Sequence, residues 1–197
     1  MKCVMAIEQD SYQEYTGENS TVFFLKDCNL RCRYCHNKES WNFPEYKCLS
    51  IQSAIEKGDS PLCSAFVFSG GEPTLHPKEV KKGIKMALKR GKKAKIFTNG
   101  ILSPVVLDLV AMGLSAISID IKFATSKNIV GLPVFWSAEE YKSHIAGLIN
   151  SLPENCDTEL RLTFWEGITS LEKERMLNFA HKFKGCKVIS QIERKQK

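Results

Sequence analysis

The sequence predicts an α/β protein, a partial (β/α)6 TIM-like barrel. Three observations carry that prediction. Short apolar runs alternate with helix-period segments along the chain, the segments are punctuated by glycine, proline and capping residues, and polar residues collect just after the apolar runs. Alternation of this kind calls for a parallel sheet with right-handed crossovers. Six such units fit a partial barrel better than a closed eight-stranded one.

The units follow one another in order. Residues 21–25 form a β-rich run, and a cysteine loop follows directly. Residues 50–57 have helical spacing at Ile51, Ala54 and Ile55, with Ser50 as N-cap and Gly58 as the stop. Residues 65–68 are continuously apolar and end at Gly70-Gly71, as expected of a buried parallel strand. Val80, Ile84, Ala87 and Leu88 mark one face of a helix over 77–90, closed by Gly91. A third strand over 94–97 ends at Thr98-Asn99-Gly100. Ser103-Pro104 then opens a helix, with serine at the cap and proline at the first helical position. A strand over 116–121, a helix over 137–152 and a strand over 158–164 come next. The last unit is a helix over 169–183, opened by the capping box Thr169/Glu172, and a strand over 187–192.

Length and composition bound the rest. With 197 residues, 43% hydrophobic and 25% charged, the chain can bury one sizeable core, and residues 1–192 are expected to be one domain followed by a basic tail over 193–197. The N-terminus reaches Glu8 before an apolar stretch of signal-peptide length accumulates, and the best apolar run, 105–114, is broken by Asp108. A cytoplasmic protein without a membrane span is expected. Eight cysteines in such a chain argue for metal or redox chemistry before disulfides. Much of the net charge of +6 lies between Lys78 and Lys95. That stretch is either a solvated helix face or a docking patch for an acidic electron-transfer partner; no pattern for direct nucleic-acid binding accompanies it.

Cys28, Cys32 and Cys35 place three thiols in one loop. Three thiolates can hold a soft metal centre and are one short of saturating a [4Fe–4S] cluster, which leaves one iron open. Other readings exist for the loop alone. Cys32-x-x-Cys35-His36 has the form of a c-type haem attachment site, a structural zinc could take His36 as fourth ligand, and buried cysteines can be inert. The strand ends favour the cluster, because polar features gather at their carboxyl ends, where chemistry collects in such folds. These are Ser69-Gly70-Gly71-Glu72-Pro73, Thr98-Asn99-Gly100, Asp120 with Lys122, and Arg161. Gly70 and Gly71 allow close backbone approach, and Glu72 supplies an anionic acceptor. Asp120 and Lys122 share one face of their strand, as partners in a salt bridge or as ligand contacts. His76, His144 and His181 show no ligand pattern, and Trp41, Trp136 and Trp165 read as core or rim aromatics.

The cysteine loop with Tyr34 before its last cysteine, Gly70-Gly71-Glu72, Thr98-Asn99-Gly100 and Asp120-Ile121-Lys122 together resemble the motifs of radical S-adenosylmethionine (SAM) enzymes. The resemblance covers most of the chain, from Tyr15 to Arg161. The runs over 24–37 and 69–75 look like those of glycyl-radical-activating enzymes, first the compact anaerobic ribonucleoside-triphosphate reductase activating proteins and then the pyruvate formate-lyase activating enzymes. It implies a radical SAM type of partial barrel, a [4Fe–4S] cluster on Cys28, Cys32 and Cys35, and SAM on the open iron. SAM contacts would come from Tyr34, Gly70, Gly71, Glu72, Thr98, Asn99, Asp120, Lys122 and Arg161, with Lys122 also in a catalytic role. It further implies a flavodoxin-like or ferredoxin-like electron donor and a glycyl-radical enzyme as partner. Many relatives carry aspartate where Phe97 stands. Activases with a ferredoxin-like insert are disfavoured, since only Cys48 and Cys63 lie between Cys35 and the Gly-Gly-Glu loop. A small-molecule radical SAM enzyme such as 7-carboxy-7-deazaguanine synthase, and a non-enzymatic iron–sulfur or zinc module, are the alternatives.

Overall fold

Backbone pairing starts with a strand that the alternation does not predict. In the computed structural model, which describes residues 1–122, 129–130 and 137–192, β1 (Val4–Ser11) runs antiparallel to β2 (Ser20–Leu25). Its apolar start, Val4-Met5-Ala6-Ile7, runs on into the polar Glu8-Gln9-Asp10-Ser11, and most of the strand is half-buried or exposed, unlike most strands of the alternation. From β2 onward the expected units appear, joined by two short unexpected strands, β3 (Arg31–Cys32) inside the cysteine loop and β7 (Ile129–Val130); the first units are α1 (Ile51–Gly58), β4 (Ala65–Gly70), α2 (Pro77–Lys89), β5 (Lys93–Thr98) and α3 (Ser103–Ala111). They continue with β6 (Ala116–Ile121), α4 (Ala138–Asn150), β8 (Asp157–Phe164), α5 (Ser170–Ala180) and β9 (Lys187–Ile192). Trp136 and the basic tail lie outside the described residues.

The main sheet has the order β1-β2-β4-β5-β6-β8-β9, with every pair after β1–β2 parallel. This is the partial (β/α)6 barrel with one antiparallel strand added at its edge. Among the described residues β1 and β9 do not pair, so the arc stays open between them. A second, two-stranded ribbon pairs β3 with β7, tying Arg31 and Cys32 to the chain beyond β6.

Alternation along the strands sorts two cores. Phe23, Phe66, Phe68, Ile96, Ile117 and Leu160 face the helices and pack with Ile55, Ile84, Leu109, Tyr141 and Met176. The opposite faces bring Val22, Val67 and Phe97 together over Tyr15 inside the arc. Helix ends follow the capping signals: Ser50 accepts from the Ser53 N–H, and Ser137/Glu140 and Thr169/Glu172 form complete capping boxes. Ser103 departs from expectation. It is already the first residue of α3, Leu102 occupies the cap position, and no side chain caps that end.

The basic stretch also resolves differently from its sequence. Lys81 on α2 pairs with Asp108, Arg90 and Lys92 just beyond it pair with Asp59, and Lys93 at the start of β5 pairs with Glu18, so several of its charges are tied to carboxylates on neighbouring segments. Lys95 lies elsewhere. It is buried inside the arc, 2.6 Å from Glu159, which also accepts a hydrogen bond from Ser118. Burial opposes the charge of Glu159, but the bonds from Lys95 and Ser118 and the Lys95 charge outweigh it and hold the carboxyl below its usual range. Burial lowers the pKa of Lys95 in turn.

Two tests follow from this packing. Lys95→Met strands an unpaired carboxylate in the interior and should cost about 3–5 kcal/mol, most of it recovered by adding Glu159→Leu, as read by urea unfolding. Because the Glu159 pKa is depressed on folding, its contribution is present above about pH 4.3 and is lost as pH falls through its lowered value, so the double variant should lose stability less steeply in acid. The second test concerns glycine. A Cβ on Gly71 would stand 1.8 Å from the Asp27 carbonyl oxygen, whereas one on Gly147 in α4 meets nothing within 4 Å. Gly71→Ala should cost about 3 kcal/mol and lower the Tm by roughly 6–12 °C, while Gly147→Ala should raise it by about 1–4 °C.

Candidate active site

The cysteine loop leaves β2 at the carboxyl edge of the sheet. Cys32 is buried, Cys28 and Cys35 are half-buried, and all eight cysteines of the chain are free thiols. Burial pushes the Cys28 thiol up to about 11 and raises that of Cys32, while the Lys122 charge works the other way on both. The Leu30 N–H points at the Cys28 sulfur at 3.4 Å. Among the described residues no group of three or more His, Cys, Asp or Glu side chains is arranged around a single metal ion. In a cubane cluster each thiolate takes a different iron, so three soft donors from one loop on a cavity wall fit an iron–sulfur group by their chemistry.

Glu72 joins the motifs. Its carboxylate is 1% exposed and accepts four hydrogen bonds, all from the chain. Oε1 receives the Thr74 N–H at 3.1 Å, the Thr74 hydroxyl at 2.7 Å and the Thr98 hydroxyl at 2.8 Å; Oε2 receives the Asn99 N–H at 2.8 Å. Burial still outweighs these donors and raises its pKa. Asn99 then donates from Nδ2 to Asn29 Oδ1 in the cysteine loop at 2.7 Å. Thus Gly-Gly-Glu, Thr-Asn-Gly and the cysteine loop form one hydrogen-bonded assembly. Gly70 (φ +100°) and Gly71 approach the backbone of Leu25 and Asp27 closely, so their missing side chains serve the chain's own packing.

Asp120 and Lys122 pair with each other at 3.2 Å. The Lys122 ammonium lies 5.6 Å from the Tyr34 ring centre, and Tyr34 stacks on Trp165 at 4.7 Å with the planes 3° apart. Burial opposes the Lys122 charge, but Asp120 and its other neighbours outweigh it and hold the amine well above its ordinary value. Arg161 turns elsewhere. Its guanidinium lies 4.4 Å over the Phe97 ring and 3.5 Å from Glu14, with Nε buried and unpartnered.

The three cysteines and all the residues expected to contact SAM line one cavity of about 770 Å³, within the roughly 300–1,000 Å³ of small-molecule sites. Sequence reasoning missed Glu8, Gln13 and Glu14, which come from the unpredicted β1 and the segment after it, and Thr163 and Gln191 on β8 and β9. For the last two a signal existed: Thr163 shares the face of Arg161 by the two-residue period, and Gln191 lies opposite Thr163 across the ladder. Of the tryptophans, Trp41 lines the cavity under Arg31, and Trp165 braces Tyr34.

A three-thiol loop crowning a partial barrel, with its polar rim drawn from successive strand ends, defines a radical enzyme scaffold. The chain belongs to the Radical SAM superfamily, whose family model matches residues 22–154, and it is a radical SAM enzyme. Membership implies SAM and an iron–sulfur cluster. The chain is 30% identical over 186 residues to a provisionally assigned glycyl-radical enzyme activating enzyme of Methanocaldococcus jannaschii, covering 92% of this chain and 76% of that protein. A shorter match, 31% over 88 residues, runs to the 7-carboxy-7-deazaguanine synthase of Hyperthermus butylicus and covers 45% of this chain and 37% of that one. The fold is similar to the crystal structure of QueE from Escherichia coli, with a TM-score of 0.55 at 12% identity, over 96% of this chain and 93% of that one. No helix among the described residues is long and apolar enough to cross a membrane.

Glu72→Gln tests the assembly. An amide nitrogen must then face at least one of the four donors, which should cost about 1–3 kcal/mol in thermal unfolding of the metal-free protein.

Proposed function

We propose that this chain is a glycyl-radical-activating enzyme that reductively cleaves SAM at a [4Fe–4S] cluster held by Cys28, Cys32 and Cys35. Its partner in this reading is an anaerobic ribonucleoside-triphosphate reductase, and its electron comes from a flavodoxin-like or ferredoxin-like donor. When bound, the reduced cluster and SAM supply one-electron cleavage of the sulfonium and a radical able to take a hydrogen atom from glycine, at potentials toward the roughly −700 mV end of the iron–sulfur range. The chain's own part is placement. The cysteine loop presents three soft donors and leaves the fourth position open. Thr98, Asn99 and Glu72 stiffen the wall beside it, with Gly70 and Gly71 bringing that wall close. Lys122, desolvated beside Asp120 and Tyr34, carries a fixed positive charge suited to the carboxylate of the methionine moiety.

The observation that carries the reading is the meeting of three thiols with the polar ends of successive strands in one cavity. The match along 92% of the chain to an activating enzyme favours a protein substrate over the small-molecule reading, whose match spans 45%. The small-molecule reading keeps support from that shorter match to a 7-carboxy-7-deazaguanine synthase. A pyruvate formate-lyase-type activase differs from the first reading only in the partner.

Anaerobic reconstitution with iron and sulfide, then dithionite and SAM, should yield 5′-deoxyadenosine from the wild type and only background from Cys32→Ala. A glycyl-radical electron paramagnetic resonance (EPR) doublet on added reductase should then appear. Turnover of a pterin-like substrate without a protein partner would move the assignment to the small-molecule reading. A colourless protein holding one zinc and forming no product would sink the enzyme reading.

A further inference from the structure

The residue before the first cysteine of the three-thiol loop has an unusual backbone. Asp27 has φ +62°, a left-handed conformation disfavoured for a residue with a side chain. Such conformations persist where the surroundings over-determine them, and they concentrate at functional sites. The surroundings of Asp27 do so from several separate segments. Its N–H donates to the Ser40 carbonyl at 2.7 Å, and its carbonyl accepts from the Glu72 N–H at 2.8 Å. The preceding Lys26 N–H donates to the Cys3 carbonyl on the edge of β1 at 2.9 Å, and the Lys26 ammonium pairs with the Asp27 carboxylate at 3.1 Å. Gly71 closes the turn from the remaining side, with no room there for a Cβ.

One clamp is a side chain from a distant element. His76, at the start of α2, is 3% exposed and places Nε2 2.8 Å from the Lys26 carbonyl oxygen and 3.8 Å from the Asp27 carboxylate. A carbonyl only accepts, so Nε2 is the donor in that bond and Nδ1 is the second ring nitrogen. That Nδ1 is buried without a hydrogen-bond partner. An apolar side chain would fill the slot without an orphaned nitrogen, so packing alone does not explain an imidazole here. What it supplies is the bond to Lys26. His76 is not among the residues lining the cavity, and its side chain's bond is to the turn at Lys26.

We propose that His76 is a positioning residue for the cluster. By holding the Lys26 carbonyl it locks the left-handed turn at Asp27, which sets the direction in which the loop from Cys28 to Cys35 leaves β2 and hence whether its three thiols reach one cluster. The inference rests on the cluster reading above and adds a device that the cysteine spacing does not contain.

The test compares wild type, His76→Leu and His76→Gln, whose amide can donate to the same carbonyl. Three quantities are read: the Tm of the metal-free protein, the rate at which a chelator strips iron from the reconstituted protein, and the EPR spectrum of the dithionite-reduced cluster. Loss of an outer partner that orients metal ligands should speed iron loss about tenfold in His76→Leu, with a changed EPR spectrum, and His76→Gln should return to within about twofold of wild type. Should His76→Leu fail to fold, His76→Asn, too short to reach the carbonyl, carries the same expectation. Wild-type iron retention and EPR in the Leu or Asn variant would overturn the proposal alone, as would a loss that tracks the fall in Tm and is not rescued by Gln. A wild type that assembles no cluster would overturn the cluster reading and this proposal together.

Discussion

The buried carboxylate of Glu72 is the constraint on which the site depends. A glutamate this far from water is tolerated only if its oxygens are satisfied, and here four donors within the chain satisfy them. Those donors lie on its own loop and on the Thr98-Asn99 turn after β5, so the ends of β4 and β5 cannot move independently. Asn99 passes the restraint to Asn29, inside the cysteine loop. Three motifs separated by many residues therefore behave as one rigid rim, which is what precise placement of a cluster and its ligand demands.

The sheet supplies the platform for that rim at some cost. Gly70 and Gly71 are required because the backbone after β4 passes against Leu25 and Asp27, and Asp27 itself is held in a strained turn. Inside the arc, Lys95 and Glu159 form a buried ion pair under Phe97, and Arg161 lies over the same ring. Position 97 is thus an apolar plate flanked by the cations of Lys95 and Arg161. Asp120 pairs with Lys122 toward Tyr34 and the cysteine loop, and beside it on the neighbouring strand Arg161 turns to Glu14 and Phe97.

Charge along the chain proved a poor guide to surface chemistry. The lysine-rich stretch looks like one basic face in one dimension, yet several of its members are consumed by carboxylates on neighbouring elements, and Lys95 points into the arc. Ion pairs between residues far apart in sequence leave no local trace, because any partner with the right sign at the right place will do.

Local rules did determine a great deal. The two-residue and helical periods placed the six parallel strands and five helices, since each element's burial is written in its own apolar spacing, and Ser50 and Thr169 marked helix starts through bonds made within four residues. The motif residues were legible for the same reason: most lie at or just after the carboxyl end of a parallel strand, and a parallel sheet delivers such residues to one edge. Only the tertiary structure decided the rest. The edge strand β1 has no helix after it and turns polar halfway, at Glu8, so it does not read as a βα unit, and it pairs where β2 offers a free row of hydrogen-bonding groups. The four donors on Glu72, the turn from Arg161 to Glu14 and Phe97, and the reach of His76 to Lys26 join residues between 2 and 147 positions apart. Most of these contacts are set by where elements pack against one another, and spacing within a single element cannot encode that.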